Sequence, residues 1–219
     1  MSLSEIYHQF ISDMQHTSLL EYIAVAFGIA SVWFSRKENI LVYPIGLANT
    51  VPYVFISING SLFGEASVNF YYTVMSIYGW ILWARKNQKK EHVVVITTSD
   101  KKEWIRQIIF FGVFYITFFS ALSYLKKSFA PGAIPWADSF ASATAFTAMW
   151  LMARKKVESW YWWIVTNLAS IPLYFVKHYV FTSVYYIILL IMALGGLKEW
   201  VQRANKHIVE KEEIPEWRQ

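Results

Sequence analysis

Seven apolar stretches, each long enough to cross a bilayer as a helix, follow one another along 219 residues and leave little chain for anything else. A hydrocarbon core of about 30 Å needs roughly 20 apolar helical residues per crossing, because each residue rises about 1.5 Å. The predicted spans are Leu19–Ser35, Ile40–Ile58, Ala66–Ala84, Trp104–Leu125, Trp136–Ala153, Trp160–Val176 and Ser183–Val201. The chain is therefore expected to be an all-α polytopic membrane protein with seven transmembrane helices. Only 16% of its residues are charged, against about a quarter in an ordinary soluble domain. It has no cysteine, which excludes disulfides, thiol catalysis and thiolate metal sites.

Charge placement sets the orientation. Of the 20 lysines and arginines, only Lys126, Lys127 and Lys177 fall in one set of alternate gaps. The other set holds Arg36 and Lys37, the cluster from Arg85 to Arg106 (Lys89 and Lys90 included), then Arg154, Lys155 and Lys156, and finally Lys198 and the basic residues through Arg218. The positive-inside rule assigns the richer set to the cytoplasm, with the N-terminus outside and the C-terminus inside. An even number of spans would divide these clusters between the two faces, so the bias also supports seven. Basic residues confined to span ends make no nucleic-acid surface. Trp33, Trp80, Trp83, Trp104, Trp150, Trp160, Trp162, Trp163 and Trp200 lie near the same ends and are expected to form an interfacial aromatic belt. Residues 1–18 lack the pattern of a removable leader. They carry Ser2 and Glu5 at capping-box spacing, with Ile6, Phe10 and Met14 at four-residue steps, which predicts an amphipathic helix on the outer face of the membrane.

The first and last thirds of the chain repeat one another. Trp33, Arg36, Tyr43, Asn49, Pro52 and Trp83 recur as Trp150, Arg154, Tyr161, Asn167, Pro172 and Trp200, at shifts of 117 to 120. Each unit holds three helices, residues 19–84 and 136–201, and both run from outside to inside, so the repeats are parallel. Three crossings per unit is odd, so an extra helix must return the chain, and the span at 104–125 supplies it. Its start is marked by Asp100 and Glu103, again at capping-box spacing. Residues 85–103 form a cytoplasmic connection with a strand-like stretch at Val93–Ile96, and residues 202–219 form a cytoplasmic tail.

This 3+1+3 plan with parallel three-helix repeats resembles the SWEET sugar transporters. The sequence itself is similar to the bacterial PnuC vitamin transporters. The likeness is carried by Tyr43-Pro44-Ile45-Gly46-Leu47-Ala48-Asn49, by Tyr71–Tyr72 with Gly79-Trp80-Ile81-Leu82-Trp83, and by Trp160-Tyr161-Trp162-Trp163 leading to Asn167. The resemblance implies a SWEET-like fold in the bacterial inner membrane and uptake of nicotinamide riboside by facilitated diffusion, with phosphorylation in the cytoplasm trapping the product. One departure concerns the hinges. SWEET transporters carry prolines in spans one, two, five and six, whereas the spans here hold only Pro44, Pro52 and Pro172, so that gating hinge does not transfer whole.

No Asp, Glu, Lys, Arg or His lies near the middle of any predicted span. Ionisable groups buried in lipid are costly and usually carry protons or ions, so coupling through side chains is not expected. A site without Arg or Lys also holds a phosphate poorly. The cargo is accordingly read as neutral or cationic and unphosphorylated, limits that nicotinamide riboside fits. Asn49 and Asn167 sit near the centres of spans two and six, at matching places in the two repeats. An unpaired buried amide costs about 1–3 kcal/mol, so each should face a partner or a wet cavity; pairing between helices is the alternative to a substrate role. Helical spacing joins Tyr53 to Asn49, puts Trp163 and Tyr174 on the face of Asn167, and gives span three the stripe Asn69, Tyr72, Thr73, Ser76 and Trp80. Amides and hydroxyls can read ribose hydroxyls and a carboxamide, and aromatic faces can hold a cationic ring through an attraction of about 0.5–2 kcal/mol. Span seven adds only Tyr185 and Tyr186, which predicts an asymmetric pocket. Pro52 and Pro172 are candidate hinges for alternating access.

No catalytic residue, metal ligand or cofactor is expected. The competing readings are the same scaffold carrying thiamine, riboflavin or a sugar, and, in a different class, an intramembrane receptor or enzyme. All five histidines are peripheral, which weighs against buried acid–base chemistry. The expected partners are a small-molecule substrate and the lipid bilayer, not nucleic acid, and the sequence is compatible with a homo-oligomer.

Overall fold

Each predicted span is a helix in the computed structural model, which describes residues 3–59, 63–87, 92–126 and 132–212. The helices are α1 (Leu3–His16), α2 (Leu19–Arg36), α3 (Val42–Asn59), α4 (Phe63–Ala84), α5 (Lys101–Leu125), α6 (Pro135–Ala153), α7 (Glu158–Val176) and α8 (Val180–Glu212). The expected cap at Ser2 lies outside the described residues, as do Lys89, Lys90, Lys127 and Arg218. Among the described residues there is no strand. The Val93–Ile96 stretch does not form one, and the connection instead carries isolated bridges, Lys86 to His92 and Thr97 to Lys156.

Local chemistry explains where the helices depart from the apolar runs. α5 begins three residues before Trp104 because Asp100 accepts the Glu103 N–H while the Glu103 carboxylate accepts the Asp100 N–H, a capping box that satisfies otherwise free donors. α6 opens on Pro135, whose missing N–H has no intrahelical partner to lose there. α8 runs past Val201 to Glu212, because residues 202–212 contain neither glycine nor proline; the predicted tail starts as helix. α5 and the Val180–Lys206 part of α8 are each long and apolar enough to cross a bilayer. The outer face of α5 leaves Ile105, Ile108, Ile109, Val113 and Ile116 exposed, a continuous apolar surface suited to lipid.

Six of the helices close into a ring. α2 packs on α3, α3 on α4, α4 on α6, α6 on α7, α7 on α8, and α8 returns to α2. Helices facing each other across the ring, such as α3 and α7, make no backbone contact among the described residues. α5 stands outside, its backbone against α6, with Gln107 and Phe111 also reaching Trp162 of α7 and Phe114 reaching Tyr71 of α4, and α1 packs on α8. At that corner Asp13 Oδ2 accepts the Phe181 N–H at 3.1 Å, so α1 caps the start of α8.

An aromatic core closes the end of the ring that carries the basic residues. Tyr43 meets Trp83 edge-on, with centroids 5.1 Å apart, and Trp160 meets Trp200 in the same way at 5.6 Å. The Trp83 indole N–H donates to the Ala153 carbonyl and the Trp200 indole N–H to the Ser35 carbonyl, each at 3.1 Å. Two glycines make these approaches feasible. A Cβ on Gly79 would lie 2.5 Å from Tyr43 Cζ, and one on Gly196 would lie 2.5 Å from Trp160 Cη2. Trp83, Trp160 and Trp200 are therefore buried core residues, contrary to the expectation of an interfacial belt. So is Trp162, whose indole N–H donates to Gln107 Oε1 at 3.0 Å. Trp33 and Trp104 stay exposed, as a belt requires.

Ion pairs overlie this core. Glu38 accepts the Lys155 ammonium at 2.7 Å and Arg203 at 3.2 Å, and Glu199 accepts Arg36 at 2.6 Å. Lys155 is only 4% exposed, with its ammonium 4.7 Å from the Trp83 ring centroid. At the opposite end Lys177 pairs with Asp138 at 2.6 Å.

Candidate functional site

Between its two charged ends the ring holds a layer of tyrosines and small polar groups. Tyr72 of α4 and Tyr185 and Tyr186 of α8 lie within electrostatic reach of one another. The Tyr186 hydroxyl lies close to the Ser170 and Tyr174 hydroxyls of α7, and the Tyr174 and Tyr186 rings stack at 5.2 Å. Phe146 of α6 backs Tyr72 at 5.9 Å, and the Tyr185 hydroxyl reaches across to Gly28 of α2. Four of the six ring helices thus contribute to one aromatic, hydroxyl-bearing cluster, and α2 borders it. The ion pairs among the described residues all sit toward the two ends, with none in this layer. Such a layer can stack a planar ring and offer hydroxyls to polar substituents, but it supplies no full charge to an anion.

The predicted residues fall into groups. Tyr72 and Tyr174 belong to the cluster. Ser76 is buried and lies close to Gly46 of α3. Asn167 is 3% exposed, and its amide has no hydrogen-bond partner among the described residues; Asn49 is half-buried and likewise unpaired among them. An amide at this depth without a protein partner stays open to a polar ligand or water, since leaving it unpaired in a closed core would cost about 1–3 kcal/mol. Asn69 and Tyr53 are half-buried and engaged in interactions of their own, and Thr73 donates to Thr50 at 2.9 Å, tying α4 to α3.

Two residues are not brought into the cluster. Trp80 is 40% exposed. Trp163 packs partly buried against the aromatic core at the basic end, because the first turn of α7 belongs to that core. Pro52 and Pro172 are exposed and lie inside helices that continue through them. Helical spacing gives Tyr186 only a minor place in the site and does not point to Ser170. The available signal was Ser170 and Tyr174 at i, i+4 on α7, a pair of hydroxyls to set beside the tyrosines of span seven.

Residues 18–202 match the family described as nicotinamide mononucleotide transporter. The chain is 23% identical over 209 residues to the nicotinamide riboside transporter PnuC of Escherichia coli (strain K12), covering 86% of this chain and 87% of that one. It is equally similar, 23% over 201 residues, to the riboflavin/roseoflavin transporter RibM of Streptomyces davaonensis, covering 90% and 91%. The crystal structure of the vitamin B3 transporter PnuC superposes with a TM-score of 0.69 at 22% identity, over 94% of this chain and 90% of that one. At that identity the likeness shows a shared fold.

Proposed function

The chain belongs to the nicotinamide mononucleotide transporter family, and from that premise we propose that it carries nicotinamide riboside across the bacterial inner membrane by facilitated diffusion. Phosphorylation in the cytoplasm then traps the product. The protein is a transporter and not an enzyme.

The observation that carries the choice of cargo is the uncharged tyrosine layer with the unpaired Asn167 amide. A mononucleotide brings a phosphate that needs Arg or Lys beside it, and the cations that the structure describes stand at the ends of the ring. The riboside lacks that phosphate. Its pyridinium suits the tyrosine faces, and its carboxamide and ribose hydroxyls suit Asn167, Ser76 and the Ser170–Tyr174–Tyr186 group. The same layer leaves no side chain to bind a coupling proton, which supports transport down the gradient of the cargo alone.

The architecture we assign is seven crossings in a 3+1+3 arrangement, with α2–α4 and α6–α8 as parallel triplets and α5 as the linker helix. The basic end faces the cytoplasm, and α1 lies on the outer face. Support for the triplets comes from a register of 117, which carries Glu38 onto Lys155, Tyr43 onto Trp160, Gly79 onto Gly196 and Trp83 onto Trp200. Each pair has matching surroundings: both first members have φ near +50° (56° and 52°), both glycines admit an aromatic ring, and both indoles bond a carbonyl of the other triplet. The partner of Tyr43 is thus Trp160; Tyr161, which the tyrosine match pointed to, is exposed. Alternating access follows from rocking of one triplet against the other, with Pro52 and Pro172 as the bends that yield.

Counterflow in liposomes containing only the purified protein tests this reading. Labelled nicotinamide riboside should accumulate without any ion gradient, and Asn167→Ala should lower it by about tenfold, the equivalent of one lost hydrogen bond of about 1.4 kcal/mol. Dependence on a gradient would sink the facilitator. Stronger competition by the mononucleotide or by riboflavin would reassign the cargo.

A further inference from the structure

The backbones of α4 and α5 each pack on α6 without approaching one another, and Tyr71 and Phe114 bridge them at 6.1 Å, so the shallow groove across α6 on the outside of the ring is floored by half-buried side chains. Aromatic rings line it. Trp150 stacks on Phe110 with centroids 4.7 Å apart, Phe110 lies 4.7 Å from Phe114, and Phe114 reaches Phe146 at 5.1 Å and Tyr71 at 6.1 Å. At the basic end Trp150 also borders a small cleft that contains Arg106, Arg154, Lys156 and Glu103.

The charges in that cleft are unbalanced. Lys156 is neutralised by Glu103 at 2.8 Å. Arg106 and Arg154 have no carboxylate partner among the described residues, and Arg154 rests over the Trp150 ring, 5.3 Å from its centroid. Two guanidinium forks without a counter-ion match the oxygens of a phosphate, which each can hold bidentately. A soluble phosphate would use the arginines alone, whereas the aromatic groove beside them is suited to a hydrocarbon chain. Basic clefts at the cytoplasmic level of a membrane helix have anionic lipid beside them.

We propose that this cleft binds the phosphate headgroup of an anionic phospholipid, with an acyl chain laid along the groove between α4 and α5. The inference rests on the membrane orientation assigned above and is independent of the cargo. Such a lipid adds to the α6 contact that chiefly holds α5 and fastens it to the side of the ring where α4 meets α6.

Native mass spectrometry of the full chain, released from nanodiscs of equal phosphatidylglycerol and phosphatidylcholine, tests it. Phosphatidylglycerol should be retained in preference. The Arg106→Gln/Arg154→Gln pair should lose that preference by about thirtyfold, given roughly 1 kcal/mol for each of the two cations near an anionic surface. Lys101→Gln/Lys102→Gln, which removes two exposed cations from the same helix end, should keep it. Equal losses in the two pairs, or none in the arginine pair, would overturn the proposal. So would displacement of the lipid by millimolar glycerol 3-phosphate, which would make the site one for a soluble phosphate. Thermal unfolding in phosphatidylcholine alone checks folding. If the arginine pair unfolds, Arg106→Lys and Arg154→Lys keep the charge and lose the fork; each should lower the preference several-fold, and unchanged preference would overturn the proposal equally.

Discussion

Two seams close the ring, α2 on α8 and α4 on α6, and they are fastened differently. Each has one indole bonded to a carbonyl of the opposite triplet, Trp200 to Ser35 and Trp83 to Ala153. Beyond that shared bond they diverge. The α2·α8 seam adds a web of charge, with Arg36 and Lys37 on Glu199 and Arg203 shared between Glu199 and Glu38. The α4·α6 seam adds an aromatic clamp: Tyr71 stacks on Phe146 at 3.8 Å and donates its hydroxyl to the Phe146 carbonyl at 2.9 Å. In the register of 117 the place of Glu199 is taken by Leu82, so the charge web has no counterpart on the other seam. Ion pairs that water and salt can replace make a seam that parts easily. A buried ring stack has no such substitute in water, so its loss is uncompensated. On that difference α2·α8 is the seam expected to yield first as salt rises and α4·α6 the one expected to hold.

The largest effect should come from breaking the point where the triplets meet. Glu38→Ala leaves the Lys155 ammonium, 4% exposed, without its carboxylate, and removing one partner of a buried pair costs about 3–5 kcal/mol. Thermal unfolding in detergent should register that loss. A cost below about 1 kcal/mol would mean that the Trp83 face and penetrating water are enough for the cation.

Next in size are the glycines under the aromatic rings. Gly79→Ala and Gly196→Ala each push a Cβ into a ring 2.5 Å away, and overpacking of this kind costs about 1–3 kcal/mol. The two should cost nearly the same. A clear inequality between them would break the equivalence of the triplets, and the contrast between the seams would then be one of unrelated surfaces.

The helices were legible in the sequence because a crossing must be apolar over a fixed length, a constraint that few other arrangements of the same residues satisfy. Every expected span overlaps a helix, and Asp100 with Glu103 even marked the start of α5. The tryptophans were not legible in the same way. A ring near the end of a helix looks alike whether it faces the interface or a neighbour, and only the glycine across from it, Gly79 for Tyr43 and Gly196 for Trp160, distinguishes the two cases. Asn167 and Tyr72 were picked out because polar groups at mid-depth are rare in such a chain. Ser170 was not legible, and Tyr186 only as a minor contribution of span seven, because their approach joins different helices, and periodicity along one helix carries no information about which helix stands opposite.

The smallest effects discriminate between the seams most directly, because only one of them depends on salt. Tyr71→Phe keeps the stack on Phe146 and loses one hydrogen bond, worth about 1 kcal/mol and insensitive to ionic strength. Glu199→Gln removes partly exposed ion pairs, worth about 0.2–1 kcal/mol at low salt. The Debye length shrinks from about 10 Å at 0.1 M to 3 Å at 1 M, so most of that difference should vanish as salt is raised. Thermal unfolding of both variants against the parent, at low and at molar salt, gives four numbers to compare. If the Glu199→Gln deficit persists in molar salt, the carboxylate is acting through desolvated hydrogen bonds to Arg36. The α2·α8 seam would then be as fixed as its counterpart, and the assignment of the mobile side of the ring would be lost.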